Sequence, residues 1–123
     1  MWCTFSLAEP PRITTQPKEF KDVIPGKSVT FAIQATGTEP LSYQWQWRPA
    51  GRGKKRGEWQ SILCDGSTFQ EVEGGLKLSH VMVCNAGYYR CIVCNCAGSE
   101  TSQSAKLIVG RCTLDFICFI CVW

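Results

Sequence analysis

The stretch Leu76-x-Leu78-x-x-Val81-x-x-x-Asn85-x-Gly87-x-Tyr89-x-Cys91 decides how this chain folds. Leu76 to Val81 reads as one strand and Gly87 to Cys94 as the next, with a corner between them. Gly87 suits that corner because a side chain there would collide with or strain the turn. On the second strand Cys91 faces the core, while Cys94 and Cys96 fall on the other parity.

The same short-strand pattern continues in both directions. Upstream, Ser28 to Ala35 alternates, with Val29, Phe31, Ile33 and Ala35 on one face and Ser28, Thr30, Ala32 and Gln34 on the other. Leu41 to Arg48 is a strand with Tyr43, Trp45 and Trp47 on one face. Arg12 to Pro17 reads as an edge strand, because Pro17 cannot donate to a ladder. Trp59 to Leu63 and Thr68 to Val72 are short, weaker strands. Downstream, Asn95 to Gly98 turns and Glu100 to Val109 is the last strand, with Ala105, Leu107 and Val109 inward. Long helical periodicity is absent. Seven or eight short strands separated by turn residues imply an all-β antiparallel sandwich.

The chain has 123 residues, 45% of them hydrophobic, and a formal net charge of +3. That is one domain's worth of chain, which excludes a barrel enzyme, a two-domain enzyme and a long repeat array. The charge is too weak to argue for nucleic acid. No run approaches the ~20 apolar residues of a membrane helix. Residues 1–9 lack the basic start of a signal peptide, and Thr4 and Ser6 interrupt their apolar stretch. The expected organisation is an unassigned leader at 1–9, a domain at 10–110 and an unassigned apolar, cysteine-rich tail at 111–123.

Nine cysteines are many for this length, and an odd count cannot pair fully within one chain. Cys91, Cys94 and Cys96 with Cys118 and Cys121 contain the elements of a zinc site, but strand parity separates Cys91 from the other two in its own strand. His80 is the single histidine and has no orienting third group, so cysteine catalysis is not expected. No cofactor and no metal are expected, and the chain is read as not an enzyme.

The opening stretch resembles the E–F region of an immunoglobulin-like domain. Val29-x-Phe31-x-Ile33-x-Ala35-x-Gly37 resembles the B strand of that family, Tyr43-Gln44-Trp45 its C strand, and Asn95-x-x-Gly98 with Ala105-x-Leu107-x-Val109 the F–G hairpin and G strand of the I-set subclass. The resemblance implies an immunoglobulin-like β-sandwich of I-set type. It makes Tyr89 the corner tyrosine whose hydroxyl turns back onto the backbone, and Ile33, Trp45, Leu78, Tyr89 and Cys91 the structural core. It also puts Ile33 where the first core cysteine usually stands, leaving Cys91 without its usual partner, and Asn85 where an aspartate usually precedes the corner.

The Ile33 variant is similar to the intracellular immunoglobulin domains of paracaspase and death-domain-type signalling proteins. That similarity implies a cytoplasmic adaptor or scaffold module whose partner is another protein. A fragment of a cell-surface receptor or adhesion ectodomain is the alternative. Docking is expected through a sheet face, an exposed strand edge, or the loop after Arg48. That loop carries Arg52, Lys54, Lys55 and Arg56, and taking those four from thirteen basic residues leaves nine against ten acidic ones. Trp59 stands beside it as a candidate contact.

Overall fold

The computed structural model of the chain describes residues 8–49, 58–64 and 68–110. The strands are β1 (Arg12–Thr15), β2 (Phe20–Val23), β3 (Val29–Phe31), β4 (Gln34–Thr36), β5 (Ser42–Pro49), β6 (Gln60–Ser61), β7 (Phe69–Val72), β8 (Gly75–Leu78), β9 (Gly87–Asn95), β10 (Gly98–Thr101) and β11 (Ala105–Val109). One sheet runs β2-β11-β9-β5-β6, with β10 also on β9; a second runs β3-β8-β7, and β1 pairs with β4. Every pairing is antiparallel except that of β2 with β11. The product is a β-sandwich whose core lies where the inward parities of both layers meet.

That core is aromatic at its centre. Phe31 stacks on Tyr89 at 4.9 Å between ring centroids, lies 6.1 Å from Trp45, and meets Phe20 edge-on at 5.3 Å. Ile33, Trp45, Leu78, Tyr89 and Cys91 are all buried, together with Leu76, Val81, Val93, Ala105 and Leu107. The polar atoms of the two central rings that burial would orphan are bonded. The Trp45 indole donates to the Gly74 carbonyl at 2.7 Å, and the Tyr89 hydroxyl donates to the Asn85 carbonyl at 2.6 Å.

Asn85 belongs to a 3-10 turn, Val83–Asn85, that makes the corner. Its amide oxygen accepts from the Met82 N–H at 2.8 Å, while its own N–H donates to the Met82 carbonyl at 2.9 Å. The asparagine thus closes the turn through a neutral side chain. Gly87 sits at φ +154°, and a Cβ there would lie 2.7 Å from the Trp47 indole nitrogen and collide with the Arg48 carbonyl.

Three elements differ from the sequence expectation. The run from Ser28 to Ala35 is two strands, because the chain changes partner across Ala32 and Ile33: β3 pairs with β8, and β4 pairs with β1. The run from Glu100 to Val109 is broken at Ser102. The Ser102 hydroxyl accepts from the Cys91 N–H at 2.9 Å and donates to the Gln103 carbonyl at 3.0 Å, replacing ladder bonds with side-chain ones. β2 was not expected at all; it is short and holds Asp22 at φ +57°, so it lacks strand periodicity.

Burial pushes the Cys91 thiol up from 9.0 to about 12, helped by the nearby Glu71 charge, and burial raises the Tyr89 phenol as well. Both groups are held neutral by the fold. Stability from them is therefore complete below the unfolded-state values and is lost as pH rises beyond about 9 toward 12. A denaturant midpoint that is flat below pH 9 and falls above it is the expected profile. Tyr89→Phe removes one buried donor without a cavity and leaves the Asn85 carbonyl short of a partner, so it should cost about 1–2 kcal/mol. Read by thermal unfolding, that is a drop of roughly 4–16 °C for a domain of this size. Gly87→Ala should destabilise by more, through both backbone strain and the collision with β5.

Candidate functional site

Alternation that buries Trp45, Tyr89, Cys91, Ala105 and Leu107 turns their neighbours to the opposite side of the same sheet. Register then places Lys106 opposite Tyr88, Tyr88 opposite Arg48, Arg90 opposite Gln46, Ile92 opposite Gln44, and Gln46 opposite Ser61. Five of these outward residues and Trp59 form one connected group. The Arg90 guanidinium lies 4.2 Å from the centroid of the Trp59 ring, and that of Arg48 lies 4.9 Å from Trp59 and 5.2 Å from Tyr88. The Lys106 ammonium lies 5.8 Å from Tyr88. Arg90 also donates through Nε to the Gln46 side chain at 2.8 Å.

Three cations are thus held by rings and an amide on a half-buried sheet surface. Among the described residues none of the three is paired with a carboxylate. The Nε of Arg48 is buried and has no hydrogen-bond partner among the described residues. Glu100, which is close in sequence to the β9–β10 hairpin, points away: its carboxylate accepts from the Ile13 N–H at 3.0 Å and lies opposite Val93 on the inward parity. The face is cationic, ordered and rich in Arg, Tyr and Trp, the residue types that dominate protein interfaces.

The sequence candidates divide. Trp59 joins the group. Arg52, Lys54, Lys55 and Arg56 lie outside the described residues, as do Cys3, Cys112, Cys118 and Cys121. Trp47 does not share the face with Trp59. It follows the inward parity of Trp45 and lines a cavity of about 390 Å³ with Ile62, Leu63, Phe69, Asn85 and Tyr89. His80 is exposed at φ +56° beyond the end of β8. Arg48, Tyr88, Arg90 and Lys106 were missed, because only the pairing of β5, β9 and β11 brings them together; their outward parity against Trp45, Tyr89 and Leu107 was the available signal.

Cys91, Cys94 and Cys96 differ in their surroundings. Cys91 is buried, Cys94 lies on the outward side and Cys96 is disulfide-bonded. A bonded sulfur is not a thiolate ligand, so Cys96 is not available as a zinc ligand. Among the described residues no group of three or more His, Cys, Asp or Glu is placed to hold a metal ion.

A family model for the immunoglobulin domain matches residues 10–95. The chain is similar to the cell adhesion molecule DSCAM of Gallus gallus, 32% identical over 100 residues, which is 81% of this chain and 5% of that protein. It is similar to Roundabout homolog 3 of Homo sapiens, 30% identical over 107 residues, 87% of this chain and 8% of that protein. The chain therefore spans less than a tenth of the length of either relative. Among solved structures it resembles the tandem Ig repeats of Dlar, with a TM-score of 0.69 at 20% identity over 83% of this chain and 47% of that one. It also resembles the I67–I69 fragment of titin, with a TM-score of 0.64 at 24% identity over 83% of this chain and 33% of that one. None of the relatives named here is a paracaspase. The family match takes in well over half of the chain and agrees with the sandwich, and the chain belongs to the immunoglobulin-domain family.

Proposed function

We propose that this chain is a non-catalytic protein–protein interaction domain of a cell-surface or secreted protein, and that it docks through the outward face of β11, β9, β5 and β6. The observation that carries the docking face is the group of Arg48, Tyr88, Arg90, Lys106 and Trp59, in which cations rest on rings and no carboxylate among the described residues answers them. Rigid aromatic and guanidinium groups lose little conformational entropy on binding, which suits them to be anchors. We infer an I-set-type arrangement as well. The first strand is divided between β1, on one layer, and β2, on the other, and a short β6 extends the β5 edge.

The extracellular assignment replaces the cytoplasmic adaptor expected from Ile33. Two findings support the change. The relatives carry descriptions such as cell adhesion molecule, and Cys96 is disulfide-bonded, a state that persists in oxidising compartments. Ile33 remains compatible with this setting, because a branched aliphatic residue packed in the core with Cys91 supplies apolar burial where a bridge is lacking.

Two measurements test the reading. Intact mass after alkylation, with and without prior reduction, should show Cys96 protected until reduced; nine thiols alkylated without reductant in protein from its native source would place it in a reducing compartment. Trp59→Ala and Arg90→Ala should each change stability by no more than about 1 kcal/mol, against about 3–5 kcal/mol for Trp45→Ala. The combined Trp59→Ala, Arg90→Ala protein should lose at least tenfold in binding to intact cells, while binding by the unaltered chain should vanish when the cells are first treated with protease. Equal binding by the variant would sink the face assignment.

A further inference from the structure

We infer that the outward face takes an extended acidic segment of a partner protein, with carboxylates on Arg48 and Arg90 and an apolar side chain on Ile92. The inference rests on the docking face proposed above and adds the chemistry of its occupant. Its basis is the order of side chains along β9 and β5. Same-face residues on a strand recur about every 6.8 Å, so Tyr88, Arg90 and Ile92 mark three successive rungs, and Arg48, Gln46 and Gln44 stand opposite them. The first two rungs are cationic and the third is apolar.

A peptide laid along these strands presents alternate side chains at the same spacing. Its matching pattern is acidic-x-acidic-x-apolar. Arginine favours this occupant, because its planar fork bonds a carboxylate through two N–H groups. The Arg48 guanidinium is oriented by two rings, and with its Nε buried it would meet a carboxylate through its terminal N–H groups. Arg90 is oriented by Trp59 and by the bond to Gln46. Gln44 and Ser42 are exposed beside Ile92 and Cys94. The Gln44 amide nitrogen donates to the Trp45 and Ile62 carbonyls and the Ser42 hydroxyl to that of Cys94, so what they offer a peptide backbone is their oxygens, as acceptors for its N–H groups. A sulfated polysaccharide would match the charge and would leave Ile92 unused. A second copy of this face would set like charges against one another.

The test uses the full chain and three probes: a decapeptide repeating Glu-Ser-Glu-Ser-Leu, the same peptide with Gln for Glu, and a heparin octasaccharide. Binding is followed by titration calorimetry and by shifts of backbone amide resonances. The acidic peptide should bind, shift amides in β5 and β9, and lose at least tenfold in affinity with Arg48→Gln plus Arg90→Gln. Lys18→Gln plus Lys27→Gln, which neutralises two exposed lysines off this face, should leave binding within twofold. Circular dichroism and thermal unfolding confirm that each variant is folded.

Equal affinity for the Gln peptide, an equal loss from the two lysine changes, or octasaccharide binding tenfold tighter and displacing the peptide would each overturn the inference. If the face variant abolishes cell binding while the acidic peptide fails to bind, the docking face stands and the acidic occupant is wrong. If neither the variant nor the peptide has an effect, both readings fall.

Discussion

Tyr89 is wholly buried and yet carries a hydroxyl, and a buried hydroxyl needs an acceptor. The acceptor is the Asn85 carbonyl, four residues upstream, so the ring is held where the 3-10 turn delivers that carbonyl. Phe31 stacks on the ring and touches Trp45, and the Trp45 indole is anchored in turn to Gly74. One hydrogen bond at the corner thereby positions aromatic groups from both layers. The contact is also why the corner accepts asparagine: the backbone oxygen does the work at Tyr89, and the side chain is free to close the turn on Met82.

The inward half of β9 builds the sandwich, and the outward half carries the proposed docking chemistry. Tyr89 and Cys91 face the core; Tyr88, Arg90 and Ile92 face out. The two roles share a backbone and little else. A core that is fully buried fixes strand register, and register is what brings Arg48, Tyr88 and Lys106 into one group. The proposed recognition surface is thus a by-product of packing on the other side of the same strands.

The corner was readable because its residues are close in sequence and each has a strict steric or polar demand. Gly87 and Tyr89 cannot be exchanged without penalty, and the alternation around Phe31 and Trp45 is regular. β2 was not readable, since Asp22 is left-handed and its pairing with β11 spans most of the chain. The breaks in the long strands hid for a similar reason: Ser102 looks like any polar strand residue until its hydroxyl is seen on the Cys91 amide. At the candidate site, Trp59 was visible through its residue type and its basic neighbours. Arg48, Tyr88, Arg90 and Lys106 come from three strands, and a local reading has no means of joining them. Ile33 by itself names no compartment, although it was read as a sign of reducing surroundings. The missing bridge says only that the core manages without one.

The margins of the sheets carry a separate consequence. β6 has two residues, β2 is kinked at Asp22, β1 changes register between Ile13 and Thr15, and β7 has four residues and ends at left-handed Glu73. No margin among the described strands offers a long, flat row of unpaired amides, the template on which foreign strands add and fibrils grow. Where many copies stand side by side at high local density, these described edges give a neighbour little on which to zip laterally.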